Sequence, residues 1–176
     1  MMKMLAAAAA FLFAAAMPAY AEDMPIEHFA GRFTGEGRIQ SGDGAETPIA
    51  GRQSEVEIAL TDSGFSLYWN TLMVDEANPA EVKVKANMLE FVRTDAPGVF
   101  RSTEQNDVWS GKPVTWAYIE NSTLYVSSVI VKEDGSYDVT TYARTVTNND
   151  LDLVFTRVRD GEQVRRVTGR LSRVAE

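Results

Sequence analysis

The sequence predicts an all-β fold, an antiparallel up-and-down barrel of about 8–10 strands, from three observations. First, residues 124–174 read as four consecutive strands rich in Val, Thr, Tyr and Phe. They are separated by Glu133-Asp134-Gly135, Asn148-Asn149-Asp150 and Asp160-Gly161-Glu162. Those strand residues suit a pleated surface, and Asn, Asp and Gly suit tight turns. Second, residues 53–61 alternate, with Val56, Ile58 and Leu60 opposite Glu55 and Glu57, and Asp62-Ser63-Gly64 leads into a return strand at 65–74. Third, nearly all connections are short, and nothing beyond residue 21 carries a helical period. Short connections make consecutive strands antiparallel neighbours. So many strands would leave raw sheet edges unless the sheet closes. A sandwich would also bury its faces; the barrel is preferred because no long crossover is visible.

The N-terminus sets the expected compartment. Residues 1–21 combine Lys3, an apolar run from Leu5 to Met17, and Ala19-Tyr20-Ala21 ahead of Glu22-Asp23. Small residues at the first and third places of that triplet predict signal-peptidase cleavage after Ala21. The apolar run is shorter than the roughly 20 residues of a membrane-spanning helix. The expected organisation is a signal peptide over 1–21 and a single β-barrel domain over 22–176, exported to the periplasm. A retained anchor or a buried N-terminal helix is the other reading of those residues. The formal net charge of −8 argues against nucleic acid and against anionic membranes. With no cysteine, disulfides, thiol nucleophiles and Cys-based zinc sites are excluded. Asn121-Ser122-Thr123 matches a glycosylation sequon but reads better as a hairpin turn.

The remaining elements follow in order. Residues 22–27, with Pro25, form a loop or a single helical turn. Residues 29–40 are a first strand whose Gly31, Gly35 and Gly37 predict a bend or close packing. Residues 41–48 are a loop. Residues 81–94 set Val82, Val84 and Ala86 against Lys83, Lys85 and Asn87, and the pattern slips at Met88-Leu89, which predicts a bulge. Asp95-Ala96-Pro97-Gly98 turns into a short strand at 99–104. A polar loop at 105–113 holds Trp109, and a strand at 114–120 precedes the Asn121-Ser122 turn.

No motif assigns a catalytic residue, a cofactor or a metal. His28 is the only histidine, which excludes multi-histidine metal sites, and nothing nearby would pair with it as a catalytic base. Asp75, Glu76 and Asp134 lack the ligand spacing of a calcium loop and read as turn acids. The aromatics Tyr68, Trp69, Trp116, Tyr118, Tyr125, Tyr137 and Tyr142 lie on predicted strands as candidate ligand-binding residues. Their apolar bulk and polar tips suit a pocket lining, or alternatively a solid core. Arg144, Arg165, Arg166 and Arg170 would meet a ligand carboxylate if they point inward. Outward, their stems would lie along the wall.

The opening Phe29-Ala30-Gly31-Arg32-Phe33, the meander and a late arginine strand together resemble the calycin superfamily of lipocalin-like barrels. In that family a Gly-x-Trp near the start packs its indole on a late arginine. The resemblance implies barrel closure by Gly31 and Phe33, the latter in place of tryptophan, with Arg170 (or Arg173) as the arginine. It also implies a pocket for an apolar or amphipathic small molecule, bound without catalysis.

Two other functions fit a barrel. One is a cell-envelope interaction or structural module, solid inside, with a protein partner that the sequence does not identify. The other is a small outer-membrane barrel. Glu55, Glu57, Lys83, Lys85, Asp138 and Arg144 would interrupt its lipid-facing band, which argues against stable membrane insertion.

Overall fold

A computed structural model describes residues 22–40, 46–74 and 82–175, with side chains described for 22–36, 54–70 and 84–175. The predicted export signal, Asp75 and Glu76 lie outside the described residues. Ten antiparallel strands close into an up-and-down barrel: β1 (Gly31–Gln40), β2 (Glu46–Thr61), β3 (Gly64–Val74), β4 (Val82–Arg93), β5 (Val99–Ser102), β6 (Val114–Glu120), β7 (Thr123–Val131), β8 (Tyr137–Thr147), β9 (Asp150–Arg159) and β10 (Glu162–Arg173). Each strand pairs with its neighbours in sequence, and β1 returns to β10.

The turns follow from their residues. Asn148 and Asn149 (φ 50° and 77°), and Asp160 and Gly161 (φ 49° and 87°), put both central residues in the left-handed region. That is the type I′ hairpin geometry, which Asn, Asp and Gly tolerate best. Asp134 holds the β7–β8 turn by accepting the Ser136 N–H at 2.9 Å.

The bulge expected at Met88-Leu89 is not there: β4 pairs β3 in unbroken register from Val92 to Val82. What slips is polarity. Phe91 and Leu89 face the core, but Asn87 and Lys85, on the same side, lie where the barrel wall is wet. The register shifts instead between Glu36 and Arg38 on β1 and between Gln163 and Arg165 on β10.

One end, the base, is solid. Phe29, Phe33, Phe65, Phe91 and Phe100, with Ile58, Leu67, Leu124, Leu151 and Leu171, are all buried there. The 3-10 turn Ile26–Phe29 lies beneath them and contributes Ile26 and Phe29. Phe65 stacks on Phe91 at 4.8 Å and meets Phe100 edge-on at 5.1 Å.

Arg173, not Arg170, closes the base. Its guanidinium lies over the Phe33 ring at 4.5 Å and donates to the carbonyls of Ala30 (2.6 Å), Asn149 (3.1 Å) and His28 (3.4 Å). Phe33 and Arg173 are direct register partners across the β1–β10 seam. Gly31, at φ 141°, clears the space: a Cβ there would fall on the Arg173 Nη1 atom. Arg170, three positions earlier, takes the opposite parity and pairs with Asp150 and Asp152 on the outer wall.

Charge on the outer wall also differs from expectation. Arg144 and Asp138 point inward, Lys85 shares that parity, and the side chain of Lys83 lies outside those described. The outer charges that form ion pairs on the strands include Arg32, Glu55 and Glu57 on β1 and β2, and Arg170, Asp150 and Asp152 on β9 and β10.

The wall is incomplete toward the mouth. The short β5 pairs β4 only at Phe91, Val92 and Arg93. Among the described residues, the edge of β4 over 84–88 has no strand partner, and every residue there is exposed. Val84 is 58% and Met88 61% accessible.

Replacing Arg173 by Ala should destabilise the protein by about 2–3 kcal/mol, because it removes charged hydrogen bonds and the contact with Phe33. Arg170→Ala should cost less than about 1 kcal/mol, as for exposed ion pairs. Urea unfolding of the two variants side by side checks the assignment.

Candidate functional site

Above the base the inner face changes character. Trp69 of β3 and Tyr142 of β8 come from opposite sides of the barrel, and their rings meet across the lumen at 5.8 Å. Phe155 of β9 extends the row, 4.7 Å from Tyr142. Offset, tilted rings at these separations attract one another. Together they form an aromatic bar over the phenylalanine base.

Arg144 lies beneath the bar. It sits on the inner face of β8 between Leu124 and Leu153, its register partners, and is only 1% accessible. Its guanidinium approaches the Tyr142 ring at 5.2 Å. Its buried Nε and Nη1 atoms have no hydrogen-bond partner among the described residues. Burial pulls its pKa down to about 10, so it remains a cation at neutral pH. A buried charge without a partner costs about 3–5 kcal/mol, more than one cation–π contact returns. Arg144 is therefore a standing source of instability in the protein alone.

Toward the mouth the inner face becomes ionic. Asp138 accepts from Arg157 (Nε 3.1 Å, Nη2 2.7 Å) and from Arg159 (Nε 3.1 Å, Nη2 3.4 Å). The hydrogen bonds from Arg157, then those from Arg159, hold its carboxyl well below the usual carboxylate range. Burial raises the Tyr142 pKa, against the opposing pull of the Arg144 cation and, after it, that of Arg165 on β10.

The candidate aromatics divide by strand parity. Trp69 and Tyr142 are inside; Tyr68, Trp116, Tyr118, Tyr125 and Tyr137 are not. Adjacent strand residues take opposite faces, so Tyr68 and Trp69 cannot share an interior. Tyr118 and Tyr125 stack on each other outside at 4.7 Å, because Ala117, Ile119, Leu124 and Val126 occupy the inner positions between them. Trp116 is exposed on the same wall, and Tyr137 stands exposed at the mouth. Of the four candidate arginines, Arg144 points inward and Arg165 shares the inner parity, while Arg166 and Arg170 alternate outward.

Sequence reasoning missed Phe155 and the Asp138–Arg157–Arg159 cluster. Their signal is present, since Phe155, Arg157 and Arg159 fall on one parity of β9 with Leu151 and Leu153. His28 is exposed, and its carbonyl, not its ring, engages Arg173. Among the described residues no group of His, Asp and Glu is arranged to hold a metal.

No family model matches this chain, and no curated protein is significantly similar to it.

Because the Asp138 pKa is depressed on folding, its contribution to stability is present above the ordinary carboxylate value of 3.8 and is lost as pH falls below it. Asp138→Asn should lower the melting temperature at pH 7 and flatten its decline below about pH 4. Melting curves of both proteins across that range measure the difference.

Proposed function

We propose that this chain is an exported periplasmic barrel, related in design to the lipocalin-like calycins, that holds one small apolar or amphipathic molecule and performs no catalysis. The observation that carries the reading is the aromatic bar. Trp69, Tyr142 and Phe155 offer an apolar floor at mid-barrel, reached from a mouth lined by polar groups. Barrel width supports it: about eight strands already suffice to hold one small ligand, and this barrel has ten. The base is filled by phenylalanines, whereas inner positions above it carry smaller or polar residues such as Ser54, Asn87, Ser128 and Thr140. The Gly31–Phe33–Arg173 closure matches the arrangement the calycin resemblance implies, and Ala19-Tyr20-Ala21 supports export.

A Trp109→Phe, Trp116→Phe variant leaves Trp69 as the sole indole. Its emission should shift when lipophilic compounds are titrated in, and native mass spectrometry of protein from its own host should show an added small mass. Protein that is always empty, with Trp69 indifferent to a broad panel, would remove this reading.

One observation favours the second reading, an envelope interaction module. Among the described residues the β4 edge at 84–88 has no strand partner, and it carries exposed Val84 and Met88, an arrangement by which sheets accept an added strand. If that edge is the working surface, Val84→Glu with Met88→Glu should abolish a cross-link seen in intact cells while leaving Trp69 emission unchanged.

A further inference from the structure

We infer that the molecule held in this barrel carries an acidic oxygen group, a carboxylate, which seats below the aromatic bar on Arg144. This rests on the ligand-binding reading above and specifies its chemistry. Arg144 is the only buried side chain among the described residues with unsatisfied nitrogen atoms, and two of its nitrogens are so. Toward the mouth, by contrast, Arg157 and Arg159 have a carboxylate between them, that of Asp138. Arg144 faces leucines at its two register positions and the Tyr142 ring beside it. No described carboxylate reaches it. A group of this kind is completed by acceptor atoms from outside the chain, and a carboxylate supplies both the acceptors and the opposite charge.

The position also fixes orientation. Below Arg144 the base is packed solid, so the body of the molecule must extend past Trp69, Tyr142 and Phe155 toward the mouth. From Arg144 to the Asp138 cluster, β8 runs six residues. That is ~20 Å of strand, or ~15 Å along the axis of a barrel tilted by about 40°. An acid with an apolar body of moderate length fits this zone, its far end reaching the ionic mouth. Entry of the acid requires the Trp69 and Tyr142 rings to part, so binding reports on Trp69.

The test uses matched acid and alcohol pairs, decanoate against decanol and phenylbutyrate against phenylbutanol, titrated into the full mature chain with Trp69 as the only tryptophan. In at least one pair the acid should bind about tenfold or more tighter than its alcohol, the range of a charge-assisted hydrogen bond. Arg144→Met should bind acid and alcohol alike, and its ligand-free melting temperature should hold or rise. Arg144→Lys should retain part of the preference. Equal binding of acid and alcohol by the wild-type chain overturns the acid assignment and leaves the pocket reading standing. Failure of every compound to bind overturns both. The wild-type comparison decides the matter even if the Arg144→Met variant does not fold.

Discussion

The β1–β10 seam turns a ten-stranded ribbon into a barrel, and Arg173 pins it. One planar cation covers the face of Phe33 and gathers three backbone carbonyls, from the 3-10 turn, from Ala30 just ahead of β1 and from the β8–β9 turn. Carbonyls at such a junction need a donor wherever a ladder cannot supply one. Arginine fits because its fork donates in several directions while its flat face rests on an aromatic ring. With the base sealed this way, neither β1 nor β10 is left as a raw edge.

From that seal the interior grades in one direction. Five phenylalanines fill the base, an aromatic bar crosses the middle, and an aspartate shared by two arginines lines the mouth. Arg144 is out of keeping with the gradient, a buried cation set between leucines. Groups that break a fold's own logic without compensation are where function is expected, since stability alone would replace them.

The strand pattern was legible because period-two alternation and the Asn, Asp and Gly turns are local signals. All four strands over 124–174 stand where the alternation and turns set them. The inside of the barrel was less legible. Counting aromatics gathered Tyr68, Trp116, Tyr118, Tyr125 and Tyr137 with Trp69 and Tyr142, although parity within each strand separates them. Parity had to be anchored to a known core residue, and on β8 it runs against hydrophobicity. There Arg144 and Asp138 are inside while Ala143 and Val139 are outside. The choice between Arg170 and Arg173 likewise turned on register with Phe33, a long-range fact that spacing does not contain. The slip near Met88 was real as a pattern, but its cause is the missing β5 partner and the wet mouth, not an extra residue.

The same seal bears on how the chain assembles. Arg173 and Ala30 are 143 positions apart, whereas β8 and β9 meet across a two-residue turn. Bringing distant ends together carries the largest loop-closure entropy of any pairing here, while each hairpin can form almost at once on its own. Zipping therefore proceeds along the meander from neighbour to neighbour, and joining the first strand to the last comes late. Until that moment the nascent ribbon exposes both of its terminal strands, and it is then that it is most open to pairing with another copy of itself.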